Sequence, residues 1–264
     1  MPGMSVKKSL IQLIRRLGYE IVPTSHVMPR DIEGHLKSLF ASLDITCVFD
    51  VGANIGQYRE LLRGAVGYRG LIVSFEPVKH AVEVLRERSR TDSDWLVYQC
   101  ALGAEDGVKT INVMRADTLS SFLVPDNSET GLFAKHNVIE RKEDVQVRAL
   151  DSVIAQVRKE RDIGRNLFLK IDTQGYDLEV IRGASRSLPE ICAVQTELSC
   201  QSLYQKMPGY LEVLGVLDQL GFQLSAMFPV NQDTSLRIIE SDCVMINRRR
   251  VSGENVRLMW TNDL

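Results

Sequence analysis

The chain has 264 residues, 44% of them hydrophobic and 25% charged, with a formal net charge of -2. That balance fits one globular α/β domain with small additions and excludes a disordered chain. The lack of a basic excess excludes a global electrostatic field for nucleic acid, and the five scattered cysteines (Cys47, Cys100, Cys192, Cys200, Cys243) form no CxxC pair, excluding a zinc ribbon or disulfide framework.

The segment 4–18, "MSVKKSLIQLIRRLG", places Val6, Leu10, Leu13, Ile14 and Leu17 at helical spacing beside Lys7, Lys8, Arg15 and Arg16. A basic amphipathic helix of this kind packs on its own domain as a lid or homodimer contact, or makes peripheral contact with an anionic membrane surface. A second helix is expected over residues 31–43, with Asp31 as its cap. No apolar run approaches the roughly 20 residues of a membrane-spanning helix, and the N-terminus lacks the apolar core and cleavage site of a signal peptide. A cytoplasmic protein is expected.

From residue 46 onward, short apolar runs alternate with helical stretches, as in parallel βαβ units. Strands are expected at "TCVFDV", "GLIVSFE", "WLVYQCAL", "LFLKIDT" and "ICAVQTEL". Helices are expected at about 55–65, 78–89, 151–160, 176–187 and 208–220. "FQLSAMF" and "SDCVMINRR" have the alternation of an antiparallel hairpin closing one sheet edge. "VKTINVM" and "EDVQVRALDSV" read as two further strands, bracketing a polar insertion over 115–141 that can form part of a substrate mouth. The fold class is α/β: a doubly wound, Rossmann-like, mostly parallel sheet with an antiparallel edge hairpin, plus N-terminal helices.

The most informative stretch is "CVFDVGANIGQYRELL", residues 47–62. A strand-to-helix turn needs residues without Cβ where φ is positive or a ligand touches the backbone, and Gly52 and Gly56 meet that need. The following helix aims free N–H groups into the crevice beyond the strand ends, where open α/β sheets bind small polar ligands. The turn lacks the third glycine of a dinucleotide fingerprint and the Gly-Lys-Ser/Thr of a Walker loop. Asp50, just before it, repels a pyrophosphate and attracts an ammonium or sulfonium. At the end of the second strand, Glu76 is placed to accept hydrogen bonds from both ribose hydroxyls of an adenosine, and Pro77 stops the strand. Ala101 and Leu102 offer an apolar face for adenine. Together these features form the pattern of class I S-adenosylmethionine-dependent methyltransferases.

In this order, "FDVGANIGQY", "SFEPV", "ALG", "TLSSF", "ALDSV", "LKIDTQGYDLEVIRGA" and "VQTEL" resemble the FkbM family of S-adenosylmethionine-dependent O-methyltransferases, over roughly residues 46–247. The resemblance implies the class I fold and methylation of a hydroxyl on a sugar, glycolipid, polysaccharide or polyketide-type natural product. It implies cofactor contacts at Asp50, Gly52, Asn54, Gly56 and Glu76, with Ala53, Gln57 and Pro77 in the same turns, and it places Asp172 at the boundary between cofactor and substrate. Where the family shows Asp-x-Glu-Gly, this chain has Asp172-Thr173-Gln174-Gly175, an amide in place of a carboxylate. The domain then spans 46–250, between an N-terminal helical extension (1–45) and a C-terminal tail (251–264).

Methyl transfer to a hydroxyl also requires a base or a metal. Asp172, at the end of the fourth main strand, is the first choice of base; its other role is to hold the methionine ammonium. Glu197 is a second carboxylate in the same plane, and with Asp172 it could hold Mg²⁺ or Mn²⁺, although no metal is assigned. His136, in the insertion, is a third candidate base. Ser120, Ser121, Gln174, Tyr176 and Tyr204 are candidate substrate contacts. Competing readings are a small-molecule N-methyltransferase, a nicotinamide-dependent oxidoreductase, and a binding module without turnover.

Overall fold

The computed structural model describes Ile14 and residues 31–250; the rest of the basic segment 4–18, His26 and the tail 251–264 lie outside the described residues. The expected helix over 31–43 is α1 (Ile32–Leu43), and Asp31 caps it by accepting from the Gly34 N–H at 2.8 Å. Its buried stripe, Leu36, Leu39 and Phe40, packs on the sheet, with Phe40 4.8 Å from Phe168 between ring centroids.

The main sheet has seven strands in the order β3-β2-β1-β7-β8-β10-β9. The five parallel strands are β1 (Cys47–Val51), β2 (Leu71–Phe75), β3 (Trp95–Tyr98), β7 (Leu167–Ile171) and β8 (Ile191–Ser199). The antiparallel pair β9 (Phe222–Gln232) and β10 (Ile238–Asn247) closes one edge, as the alternation of those segments predicts. The burial of all five residues in each of β1, β2 and β7 explains their near-continuous apolar sequence, since both faces are covered by helices.

Alternate residues of β1 divide between the two helical layers. Cys47, Phe49 and Val51 pack with α4 (Leu150–Glu160), α5 (Asp177–Gly183) and α6 (Tyr210–Gln219). Val48 packs with α1, α2 (Gln57–Leu61) and α3 (Lys79–Ser89). Each fully buried Phe in these layers contributes roughly 1.5–3 kcal/mol by leaving water. The chain runs β1-β2-β3 toward one edge and then returns to β7-β8 on the other side of β1. The strand order therefore reverses between β1 and β7, and a crevice opens beyond their C-terminal ends.

Four expectations are corrected. The third strand is not continuous over 95–102: after Tyr98 the chain leaves the main sheet, and β4 (Ala101–Leu102) pairs instead with Val147 and Arg148. The two bracketing strands exist as β5 (Gly107–Met114) and β6 (Ile139–Arg148), but with β4 they form a separate three-stranded sheet. β6 already includes residues 139–141 of the expected insertion, and it stops at Arg148, where Asp106 accepts the Ala149 N–H at 2.7 Å and α4 begins. Finally, the helix expected from residue 55 starts at Gln57, because Gly56 at φ +95° still belongs to the turn, and it ends in a π-turn over Leu62–Val66.

Candidate active site

The crevice between β1 and β7 holds a cavity of about 330 Å³. Its floor is the turn after β1, tied to β2 by the Gly52 and Ala53 N–H groups, both donating to the Phe75 carbonyl at 3.0 Å. The glycines serve packing more than ligand approach. A Cβ on Gly52 (φ +76°) would lie 1.9 Å from the Asp172 carbonyl oxygen, and one on Gly56 would lie 2.9 Å from the Trp95 ring. The turn residue Asn54 adopts φ +46°, which aims its N–H at Glu76.

The Glu76 carboxylate accepts from Asn54 N–H at 2.8 Å through one oxygen and from Val78 N–H at 2.9 Å through the other. Burial pushes its pKa up to about 7, against the lowering effect of those two amides. It lines the cavity with Pro77, and the apolar Phe75, Ala101, Leu102 and Phe122 stand around it. This end is an apolar slot with one carboxylate acceptor at its rim.

At the other end the chemistry is acidic. Asp172, the residue after β7, lines the cavity, and its N–H continues the β1 ladder by donating to Val51 O at 3.0 Å. Lys170 lies two residues earlier on the same strand, in register with Asp50 of β1. Its ammonium is 3.2 Å from Asp50 Oδ1 and 3.4 Å from Asp172 Oδ2, over the Tyr58 ring. Burial works against that charge, but Asp172 and Asp50 together hold the lysine well above its usual range. Glu197 and Asp242, opposite each other across β8 and β10, also line the cavity. A polar chain supports them: the Tyr58 hydroxyl donates to Gln195 Oε1 at 2.7 Å, and Gln195 Nε2 donates to Asp242 at 3.1 Å. Burial first, then the Asp172, Glu240 and Asp242 charges, raise Glu197 well above the usual carboxylate range.

Gly52, Ala53, Asn54, Gln57, Glu76 and Pro77 all line this cavity. So do Ala101, Leu102, Ser120, Ser121, Asp172, Gln174 and Glu197. Asp50 does not: its side chain is fully buried, accepting from Ser74 Oγ at 3.0 Å and paired with Lys170, so the acid that faces the cavity here is Asp172. Gly56 packs beneath the turn, away from the lining. His136 is exposed in the loop and is not part of the cavity lining, so the structure does not bring it together with the other candidate bases. Tyr176 lies behind Phe122, its hydroxyl bonded to Lys109, and Tyr204 is wholly buried. Neither tyrosine lines the cavity, so neither offers the expected substrate contact.

Lys170, Asp242 and Gln195 were missed by sequence reasoning. Lys170 carries a detectable signal, a lysine inside the buried run "LFLKI"; Asp242 acquires its place only through the pairing with β8. Among the described residues, no group of three or more His, Cys, Asp or Glu is arranged to hold a metal ion, and no helix is long and apolar enough to cross a membrane.

Comparison with known proteins adds a family. The Methyltransferase FkbM domain family matches residues 50–224. Among solved structures, the chain is similar to methyltransferase FkbM from Methylobacillus flagellatus KT, with 17% identity and a TM-score of 0.46, over 77% of this chain but only 44% of that one. It is also similar to an rRNA methylase from Streptococcus thermophilus, with 12% identity and a TM-score of 0.44, over 84% and 99% of the two chains. A third similar structure is magnesium protoporphyrin IX methyltransferase from Synechocystis PCC 6803, with 9% identity and a TM-score of 0.40, over 90% and 91%. No curated protein matches the chain significantly.

Proposed function

The chain belongs to the FkbM methyltransferase family, and from that premise we propose that it transfers a methyl group from S-adenosylmethionine to a hydroxyl of a sugar, glycolipid, polysaccharide or polyketide-type natural product. The observation that carries this reading is that one cavity brings together the Glu76 carboxylate, fixed by two backbone amides beside an apolar slot, and the Asp172 carboxylate. The first suits the ribose hydroxyls and adenine of the cofactor, the second its ammonium. When bound, the cofactor supplies a methyl group already activated on a sulfonium.

The protein's own residues then have two tasks. The first is alignment, which in favourable intramolecular models lowers a barrier by about 7–11 kcal/mol. The turn after β1, Glu76 and Asp172 perform it. The second is to take the proton from the acceptor hydroxyl. Asp172 is engaged by Lys170 as well as by the Gln174 amide, whereas Glu197 has no cation on it among the described residues and is held well above the usual carboxylate range by burial and its acidic neighbours, so it has the greater tendency to take up a proton. We assign proton acceptance to Glu197 and orientation to Asp172. The five unpaired thiols, four of them buried, support placing the reaction in the cytoplasm.

One observation favours a second reading, methyl transfer to a small amine: among the described cavity-lining residues, Glu76, Asp172, Glu197 and Asp242, with Asp117, outnumber the single cation Lys170. The deciding experiment is calorimetric titration with S-adenosylhomocysteine and with NAD, followed by transfer of labelled methyl to panels of hydroxyl and amine acceptors. Binding of S-adenosylhomocysteine and label on oxygen are expected. Binding of NAD alone overturns methyl transfer, and label on nitrogen alone overturns the hydroxyl acceptor.

A further inference from the structure

Gln174 stands two residues after Asp172 in a left-handed conformation, φ +52°, followed by Gly175 at φ +90°. A non-glycine residue holds that conformation only where its surroundings over-determine it, and here they do. Ser121 Oγ donates to the Gln174 backbone carbonyl at 2.7 Å. The hydroxyl of fully buried Tyr204 sits 3.0 Å from the Gln174 side-chain oxygen and 2.7 Å from the Leu119 carbonyl. So anchored, Gln174 Nε2 lies 3.2 Å from Asp172 Oδ1 and 3.0 Å from Glu197 Oε2. The Asp172 carboxylate, ion-paired with Lys170, only accepts hydrogen bonds, so the NH₂ end of the amide faces Asp172 and Glu197 and its oxygen faces the tyrosine.

We infer that Gln174 is a positioning residue for methyl transfer, its amide holding the Asp172 and Glu197 carboxylates side by side at the cavity and keeping Glu197 available as proton acceptor. The inference rests on the assignment of Glu197 as the base. The electrostatics support it. Asp172 follows β7, Asp177 begins α5, and Glu240 and Asp242 stand on β10, all like-charged toward Glu197. Lys170 is ion-paired with Asp50 and Asp172 instead. Among the described residues, the Gln174 amide is the one hydrogen-bond donor to the Glu197 carboxylate. Removing that donor takes away the one hydrogen bond that offsets burial and the surrounding acids, so the carboxyl holds its proton more tightly.

The test is a ¹³C NMR titration of carboxyl-labelled glutamate in the full-length protein, with Glu197→Gln identifying the resonance, alongside calorimetric binding of S-adenosylhomocysteine. Gln174→Leu removes both N–H contacts; Gln174→Glu keeps the side chain's shape while replacing the donor with a charge. In both variants the Glu197 midpoint should rise by about one pH unit or more, a tenfold change in proton affinity, further for the Glu variant. If Gln174→Leu fails to fold, the near-isosteric Glu variant decides. A Glu197 midpoint that does not move, in protein that still binds S-adenosylhomocysteine, overturns the role of Gln174 alone; a wild-type protein that does not bind that ligand overturns the methyltransferase reading beneath it.

Discussion

Lys170 and Asp50 face each other across the central strand pair, in register, with the Asp50 side chain wholly buried and the ammonium 3.2 Å away. The pair lies just beneath the cavity and links its floor to Asp172, since the same ammonium donates to the Gly52 carbonyl and contacts Asp172 Oδ2. Removing one partner of a buried ion pair strands the other charge, at about 3–5 kcal/mol. Lys170→Met should therefore lower unfolding stability by that order in urea denaturation. The double variant Lys170→Met with Asp50→Asn should recover much of the loss. A Lys170→Met protein as stable as wild type would show that the charge is not buried as described.

Burial pushes the Glu76 carboxyl up to about 7, against about 4.5 for the unperturbed group. A raised value means that the folded state binds the proton more tightly than the unfolded one. Its contribution to stability is therefore full below pH 4.5 and is lost as pH rises through 7. Cofactor binding runs the other way, because the ionised carboxylate is the better acceptor for ribose hydroxyls. Thermal stabilisation by S-adenosylhomocysteine should grow between pH 5.5 and 8, on the order of tenfold in affinity across about one pH unit. In Glu76→Gln this pH dependence should vanish and affinity should fall roughly 10- to 100-fold, the loss of a hydrogen bond to a charged group. Equal pH slopes in the two proteins would place the ribose elsewhere.

On the proposed assignment Asp172 orients the cofactor and Glu197 accepts the proton, and their variants should divide the kinetics. Asp172→Asn removes the charge proposed to hold the cofactor ammonium and one partner of Lys170, so S-adenosylhomocysteine affinity should fall at least tenfold. Glu197→Gln keeps the Gln174 contact region but cannot accept a proton, so binding should stay within about threefold while turnover of any identified acceptor drops roughly 10²- to 10⁴-fold. Calorimetry and steady-state rates separate the two, and the reverse pattern would exchange the assigned roles.

The parts of the site legible in the sequence are those built by local chemistry. The turn after β1 must contain residues at φ +76° and +95°, which glycine meets at lowest cost, and Glu76 ends a strand whose apolar run is obvious. What the sequence hid is non-local. Asp50 reads as a ligand-facing acid until the register sets Lys170 beside it, and Asp242 joins the cavity only because β10 pairs with β8. The break between β3 and β4 was invisible for the same reason: "WLVYQCAL" has the apolar pattern of one strand, and only pairing with β6 draws Ala101 and Leu102 into a second sheet. Tyr204 reads equally as pocket wall or core filler, because side-chain direction outside a regular element has no period to read, and the fold buries it behind Gln174.

Gly52 offers the most local test of how closely β1 and β7 approach at the site. It combines a positive φ with a Cβ position 1.9 Å from the Asp172 carbonyl oxygen, a backbone atom with no freedom to swing aside. Gly52→Ala must therefore part the ends of β1 and β7, adding steric strain to the unfavourable dihedral, together about 2–5 kcal/mol. Because the displaced atom belongs to Asp172, the proposed cofactor site moves with it, and S-adenosylhomocysteine affinity should fall along with stability. Gly107→Ala is the matched control: nothing lies within 4 Å of its added Cβ, so both quantities should stay within roughly 0.5 kcal/mol of wild type. Urea unfolding and calorimetry on the two variants measure this directly. A Gly52→Ala protein with wild-type stability and affinity would mean that the two strand ends stand further apart than described.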